Sequence, residues 1–216
     1  METLAVLDFE TTGLSPQQGA RPTEIAVVLL RDGQIVDRYQ SLMNAGVRIP
    51  WDIQQLTGIT NDMVRGAPRV EQVMAEAAEF VGDHPIVAHN ASFDRKFWEM
   101  ELAGLRRPCR QEFICSLLLA RRIYPDASSH RLGTLAQMLA LPDAGRFHRA
   151  LVDAETTANL MIQMQQELMR RFDLPSVRSD LLAAIQRASK AQLHQCVRRY
   201  CEGAPAATKV PRLRSF

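Results

Sequence analysis

The chain has 216 residues, with 26 Lys and Arg against 24 Asp and Glu, so its formal net charge is +2. Since 46% of the residues are hydrophobic and 23% are charged, the chain can bury a full core, which excludes wholesale disorder. The length suits one medium domain, or one domain with a small appendage, and excludes a large multidomain machine. A near-neutral total argues against a simple electrostatic coat for nucleic acid but leaves a local groove open.

The sequence predicts a cytoplasmic protein that has no membrane partner. No segment approaches the roughly 18 consecutive apolar residues of a membrane helix. Residues 1–7 are apolar but lack the basic start and small-residue cleavage site of a signal peptide. The cysteines form no CxxC pair, so we expect reduced thiols, with Cys115 buried.

The first half of the chain predicts a meander followed by alternating elements. Its predicted strands, with a turn at 31–33 between the second and third, are residues 4–7, 24–30, 34–42 and 85–88. We expect at most one short helix between Pro50 and Pro68, because Gly and Pro punctuate that region. Apolar spacing predicts a helix over 70–81, which Gly82 ends, and another from residue 93, for which Ser92 is a suitable cap.

The second half is mostly helical. It predicts a short strand at 113–115 and helices at 117–123, 132–139 and 150–171. Strands that first meander and then alternate with helices predict an α/β sheet covered on both faces. Beyond Pro175 we expect one or two further helices over 176–200 and a loose tail over 202–216.

The charge divides at the same break. Residues 172–216 carry eight Lys and Arg against three Asp and Glu, a net +5, so the rest of the chain carries −3. We therefore predict one domain over 1–172 and a basic, partly helical extension over 173–216. The extension is equally consistent with a contact surface for nucleic acid or a partner and with a solubilising helix.

Asp8 and Glu10 stand two residues apart at the end of an apolar strand, so their side chains share one face of the sheet. Two such carboxylates repel each other unless a cation lies between them. An isolated Asp-x-Glu pattern is more often a pair of solvated surface acids. Asp153 and Glu155 repeat the pattern on a predicted helix, where side chains two residues apart diverge.

Two further segments carry candidate residues. Asp94 follows the strand at 85–88 and lies in a first helical turn, where a capping role is the simpler explanation. His148 and Asp153 enter the long helix at 150–171. Five residues along one helix would set them about 140° apart, so they converge only if His148 lies in the loop before the helix. Considered alone, His148 is more typical of a histidine in a surface loop.

Together, Asp8, Glu10, Asp94 and Asp153 would make an all-oxygen site suited to Mg²⁺ or Mn²⁺. Phosphodiester hydrolysis is a reaction that uses two such ions, one activating a water and one stabilising the leaving oxygen. A neutral histidine nearby can accept the proton of that water.

Three segments resemble, in order and spacing, the exonuclease motifs of the DEDDh family, which includes the proofreading epsilon subunit of bacterial DNA polymerase III. They are residues 8–14 (DFETTGL), 87–94 (VAHNASFD) and 148–154 (HRALVDA), and the resemblance covers about residues 3–170. It implies a ribonuclease H-like fold, a mixed five-stranded sheet with the second strand antiparallel. It also implies 3′-to-5′ release of nucleoside 5′-monophosphates.

The resemblance also assigns roles. Asp8 would bridge two divalent metal ions, Glu10, Asp94 and Asp153 would complete their ligands, and His148 would be the general base. The implied substrate-binding residues, with Leu14 and Ile59 as apolar surfaces against the terminal base, are Thr11, Thr12, Leu14, Ile59 and Asn90. Thr57 departs from the pattern, because many relatives carry His before Gly-Ile-Thr.

The expected substrate is single-stranded DNA or a frayed 3′ end, since stacking and wedging tolerate any base. An exoribonuclease is an alternative, because the motifs do not encode the sugar. A non-catalytic module that recruits a DNA polymerase or repair complex is another, although it would have no use for four unneutralised acids. The extension after residue 172 is where such a partner would dock.

Overall fold

The structure, a computed structural model, describes residues 2–142, 145 and 148–203. Five strands form one sheet in the order β3-β2-β1-β4-β5. Their bounds are β1 Thr3–Thr11, β2 Pro22–Arg31, β3 Gln34–Leu42, β4 Ile86–Ala88 and β5 Phe113–Cys115. β2 runs antiparallel to β1 and β3, whereas β4 and β5 run parallel to β1 and to each other. The predicted mixed sheet with an antiparallel second strand is confirmed.

The described residues contain nine α-helices. They are α1 Trp51–Thr57, α2 Asn61–Arg65, α3 Val70–Val81, α4 Ser92–Gly104, α5 Ser116–Ile123, α6 Leu132–Met138, α7 Ala150–Phe172, α8 Ser179–Arg187 and α9 Leu193–Gly203. No helix among the described residues is long and apolar enough to cross a membrane.

Two local predictions are wrong. The region between β3 and α3 holds two helices instead of at most one. Gly58 ends α1 in a left-handed conformation (φ +74°), and the Thr60 hydroxyl then caps α2 by accepting a hydrogen bond from the Met63 N–H at 3.2 Å. Ser92 does not cap α4: Ala91 occupies that position, and the Ser92 hydroxyl donates to Asn90 Oδ1 at 3.4 Å.

Alternation along β1 divides the core into two layers. Leu4 and Val6 face the layer that contains α5, α7 and α8, whereas Leu7 and Phe9 face the layer of α3 and α4. The prediction of a sheet covered on both faces is confirmed. Cys115 is buried, as predicted, and all four cysteines are free thiols.

The segment after α7 packs into the first of these layers. Leu181 and Ile185 of α8 and Val197 of α9 belong to the same buried cluster as Val6. Asp173 ends α7 in the left-handed conformation (φ +54°), at the predicted boundary. The division into two domains stays a prediction, and the part of the predicted loose tail over 204–216 lies outside the described residues. α9 extends to Gly203, so residues 202 and 203 are helical and that part of the tail prediction is wrong.

Candidate active site

The carboxyl end of β1 places two acids on the face that α7 covers. Asp8 pairs with Ala26 and Glu10 with Glu24 of β2, so β1 stays in the sheet beyond its apolar part. This pairing explains why the strand is longer than residues 4–7. Glu10 is buried and Asp8 is half-buried.

Asp94 reaches the same place from α4. β4 lies parallel to β1, with Val87 opposite Val6, so the chain leaves β4 beside Asp8. α4 then starts after a short turn in which Asn90 adopts a left-handed conformation (φ +72°). The Phe9 N–H donates to Asp94 Oδ1 at 3.2 Å, and this bond ties the buried Asp94 carboxylate to β1.

His148 and Asp153 converge at the start of α7. The helix begins at Ala150, and the preceding His148 is exposed with a positive φ of 66°. The His148 N–H donates to Asp153 Oδ2 at 2.8 Å. The condition for their convergence, that His148 lies in the loop before the helix, is met, and Glu10, His148 and Asp153 each offer a ligand atom within 4.8 Å of the others.

These side chains surround one cavity of about 200 Å³. Its lining comprises Asp8, Phe9, Glu10, His89, Asn90, Phe93, Asp94, Leu132, His148 and Asp153. All five residues expected to carry the chemistry therefore face the same space. The second Asp-x-Glu pattern behaves as expected, because Glu155 points away from the cavity and pairs with Arg38 of β3.

Burial raises the pKa of all four acids in the cavity, and repulsion between carboxylates adds to the effect at Asp8 and Glu10. Burial, followed by repulsion from Asp94 and Asp153, raises the pKa of Asp8 well above its usual value. Burial and then Asp153 and Glu24 raise the pKa of Glu10 to about 8. Burial raises the pKa of Asp94, and it also raises that of Asp153 against the opposing hydrogen bond from His148.

This donor set fits hard divalent cations. Four carboxylates share the cavity, and Arg149, the cation that lowers the pKa of Glu10, is already paired with Glu24. A cation held among the acids would offset their mutual repulsion, and carboxylate oxygens are the ligands that Mg²⁺ and Mn²⁺ prefer.

His89 is a lining residue that the sequence interpretation did not include. Its Nδ1 lies 2.9 Å from Ser116 Oγ and its Nε2 lies 3.0 Å from the His130 carbonyl oxygen, so both ring nitrogens are engaged. Burial lowers its pKa to about 4, which keeps the ring neutral near neutral pH. His89 therefore braces the wall of the cavity, and the VAHNASFD motif that contains it was the available signal.

The predicted substrate-binding residues after β1 form a hydrogen-bonded loop. Thr11 donates its hydroxyl to the Gly13 carbonyl at 2.7 Å, and Thr12 Oγ1 accepts from the Arg21 N–H at 2.9 Å. Leu14 is 81% exposed and is free to meet a substrate. Asn90 is exposed and lines the cavity.

Ile59 does not offer the expected apolar surface. It is 0% exposed and packs with Ile49 and Val64 under α1 and α2. Thr57, at the position that departs from the family pattern, is also buried: its hydroxyl donates to the Ile53 carbonyl at 2.9 Å and accepts from the Ile59 N–H at 3.1 Å. This turn is therefore held by internal contacts.

Comparison with known proteins agrees with this geometry. A family model described as exonuclease, RNase_T, matches residues 5–161. The chain is 34% identical over 173 residues to the DNA polymerase III subunit epsilon of Aquifex aeolicus, covering 80% of this chain and 85% of that protein. The resemblance to DEDDh exonucleases is confirmed.

Two further likenesses differ in extent. The DNA polymerase III PolC-type of Bacillus cereus is 38% identical over 172 residues, which are 79% of this chain. The chain spans only 12% of that protein's length. A solved structure of exonuclease X in complex with 5′ overhanging duplex DNA superimposes with a TM-score of 0.67 at 30% identity. That match covers 85% of this chain and 99% of the other.

Proposed function

Since this chain belongs to the exonuclease family, we propose that it is a 3′-to-5′ exonuclease that removes nucleoside 5′-monophosphates from DNA ends in proofreading or repair. The observation that carries the proposal is the convergence of Asp8, Glu10, Asp94, Asp153 and His148 on one cavity. Relatives named as DNA polymerase III proteins and a neighbour solved with duplex DNA support DNA as the substrate.

The proposed mechanism is hydrolysis of the terminal phosphodiester. Two Mg²⁺ or Mn²⁺ ions held by Asp8, Glu10, Asp94 and Asp153 would activate a water and stabilise the leaving oxygen. His148 would accept the proton of the attacking water, whose oxygen forms the new bond to phosphorus while the bond to the 3′ oxygen breaks, and the released 3′ oxygen takes a proton from solvent. The products are a nucleoside 5′-monophosphate and a strand shortened by one nucleotide with a free 3′ hydroxyl.

We propose that the loop after β1 binds the substrate. Leu14 is exposed in the loop that follows β1, and we propose that it lies against the terminal base while the loop shaped by Thr11 and Thr12 holds the terminal nucleotide. Asn90, which lines the cavity, would contact the same nucleotide. These contacts read no base edge, so trimming should not depend on sequence.

A labelled-oligonucleotide assay tests the proposal. A 5′-labelled DNA strand incubated with Mg²⁺ should give a descending ladder, and EDTA should stop it. Asp8→Asn should reduce the rate by at least about 1,000-fold, because it removes a charge that holds the metal ions. Glu155→Gln is the matched control, since Glu155 is the member of the second Asp-x-Glu pattern that points away from the cavity and pairs with Arg38, and it should leave the ladder unchanged.

Undiminished cleavage by Asp8→Asn would overturn the assignment of the site. A matched RNA strand decides the sugar preference, because only contacts to the 2′ hydroxyl distinguish the two. Faster cleavage of RNA would replace the DNA proposal with an exoribonuclease.

We also propose that the extension over 173–216 contacts a DNA polymerase or repair complex. The likeness to a polymerase subunit supports this partner, and the extension presents exposed basic residues, including Lys190 between α8 and α9 and Arg198 and Arg199 of α9. Retention of a DNA polymerase subunit by the full chain, lost when those three residues are replaced by Gln, would support it. Equal retention by the variant would contradict it.

A further inference from the structure

A fifth acid lies directly beside the catalytic cluster. Glu24 of β2 is opposite Glu10 in the sheet register and is 0% exposed. Its charge contributes to raising the pKa of both Asp8 and Glu10, so its presence makes the acid cluster harder to ionise. An acid placed there solely for packing would be costly, and a hydrophobic residue of similar volume would avoid that cost.

The Glu24 carboxylate accepts four hydrogen bonds. Arg149 binds it in a bidentate manner, with Nη2 at 2.8 Å from Oε1 and Nε at 3.1 Å from Oε2. The Ala150 N–H donates to Oε2 at 3.0 Å, and Gln40 Nε2 donates to Oε1 at 2.8 Å. A buried carboxylate with this many donors is held rigidly, because paired guanidinium and carboxylate groups fix orientation as well as charge.

Two of these donors belong to the junction that carries the site. His148, Arg149 and Ala150 are consecutive, and Ala150 is the first residue of α7. Glu24 therefore holds both the side chain next to His148 and the first backbone N–H of the helix that carries Asp153. His148 itself has a positive φ of 66°, which is unfavourable for a side chain larger than glycine and requires support from its surroundings.

We propose that Glu24 and Arg149 form a positioning pair, which fixes the junction before α7 so that His148 and Asp153 face Glu10. Neither residue lines the cavity among the described residues, so neither is a catalytic residue. The pair acts through the backbone of residues 148–150. The inference rests on the proposed exonuclease function for its kinetic part and on the structure alone for its geometric part.

The test uses the full chain with substitutions at Arg149. Arg149→Met removes the ion pair but leaves the bond from the Ala150 N–H, and its partly exposed side chain makes a folded variant the expected outcome. We expect kcat to fall about 10- to 100-fold, as for a displaced catalytic group, with KM nearly unchanged. Arg149→Lys should recover part of the loss, because lysine restores the charge without the bidentate geometry.

The matched control is Arg38→Met. Arg38 also pairs a strand with α7, through Glu155, but that contact lies beyond Asp153 along the helix. This variant should keep kcat near the wild-type value. Glu24→Gln, which leaves Arg149 without a counter-charge, should reduce kcat at least as much as Arg149→Met. Should the buried substitution at Glu24 prevent folding, the Arg149 and Arg38 variants decide the question.

Amide hydrogen exchange of the metal-free chain gives a readout independent of turnover. The N–H groups of His148 and Ala150 should exchange faster in Arg149→Met than in Arg38→Met, because both lie at the released junction. Wild-type kcat together with unchanged exchange in Arg149→Met would overturn the inference. An inactive wild-type chain would overturn the proposed function instead, while the exchange comparison would still test the junction.

Discussion

Two acidic side chains at the end of β1, Asp8 and Glu10, concentrate negative charge in the metal-free site. Asp8 and Glu10 lie on one face of a strand, so their repulsion follows from residue spacing alone. Folding buries both carboxylates and brings Asp94, Asp153 and Glu24 close to them, and burial followed by this repulsion raises their pKa values further. The site is therefore a place where the fold is strained electrostatically until a cation binds.

Glu10 gives this strain a measurable pH dependence. Its pKa rises from 4.5 to about 8 on folding, so the folded chain holds a proton that the unfolded chain has lost. The stabilising contribution of that proton is complete below pH 4.5 and is lost as the pH rises through about 8. In EDTA, we expect the melting temperature to fall between these limits more steeply for the wild type than for Glu10→Gln.

Mg²⁺ should reverse the loss at the upper end of this range. A ligand at 100 times its Kd stabilises the folded state by about 2.7 kcal/mol, and the ionised carboxylates at pH 8 are the form that binds. Thermal unfolding with and without Mg²⁺ at that pH measures the effect. Identical pH slopes for the wild type and Glu10→Gln, with the same response to Mg²⁺, would contradict the expected role of Glu10.

For single residues, the acids of the site were easier to predict from the sequence than the contacts that side chains make in the fold. Asp8 and Glu10 stand out because they end an apolar strand, and helical spacing showed that His148 could meet Asp153 only from the loop before the helix. Glu24 was missed even though it directly precedes the apolar run of β2, since its importance depends on strand register, which pairs it with Glu10. Ile59 was assigned to the surface because its motif was recognised but its packing against Ile49 and Val64 was not predictable from spacing.

Among the elements, β5 needs a partner on its outer edge. β4 pairs with one side of β5 and leaves the other side with unpaired backbone groups. Gln186 of α8 supplies the missing bonds: its Oε1 accepts from the Cys115 N–H at 2.8 Å and its Nε2 donates to the Phe113 carbonyl at 3.0 Å. The Gln186 amide thus makes two hydrogen bonds of the kind that a sixth strand would make, and it connects the C-terminal helices to the sheet.

Gln186→Leu should therefore destabilise the fold. It leaves two backbone groups of β5 without their partner, at a cost of about 1 to 3 kcal/mol for each group that stays buried. Urea denaturation measures the loss, and exchange of the Cys115 amide reports it locally. Gln195→Leu is the control on the exposed side of α9 and should change stability little. Equal midpoints for the two variants would contradict this role for Gln186.

Among the secondary-structure elements, the sequence predicted the long helices and strands but missed one of the two short helices between β3 and α3. The periodicity of α3 and α7 and the strand-like sequences of β2 and β3 extend over enough residues to identify each element. α1 and α2 have seven and five residues, so caps and turns decide them more than periodicity does. The bracing of β5 by Gln186 joins residues about 70 positions apart and has no local signal.

For the whole molecule, the net charge of +2 is the sum of two parts with opposite charge. Residues 1–171 carry −3, to which four proposed metal ligands contribute, whereas residues 172–216 carry +5. Two bound divalent ions would bring the first part to +1, so its attraction for DNA should require metal. The extension is basic without metal, and Arg198 and Arg199 of α9 are exposed.

The extension's contribution to DNA binding follows from counterion release. Each phosphate contact on a single strand contributes about 0.7 to the slope of log K against log salt, so Arg198→Gln with Arg199→Gln should lower that slope by up to about 1.4. Fluorescence anisotropy with a labelled strand in EDTA measures binding without cleavage. The control, Arg106→Gln with Arg110→Gln, removes the same charge from two other exposed arginines. Equal slopes for the two double variants would show that α9 does not contact DNA, and the basic extension would then serve a protein partner or solubility.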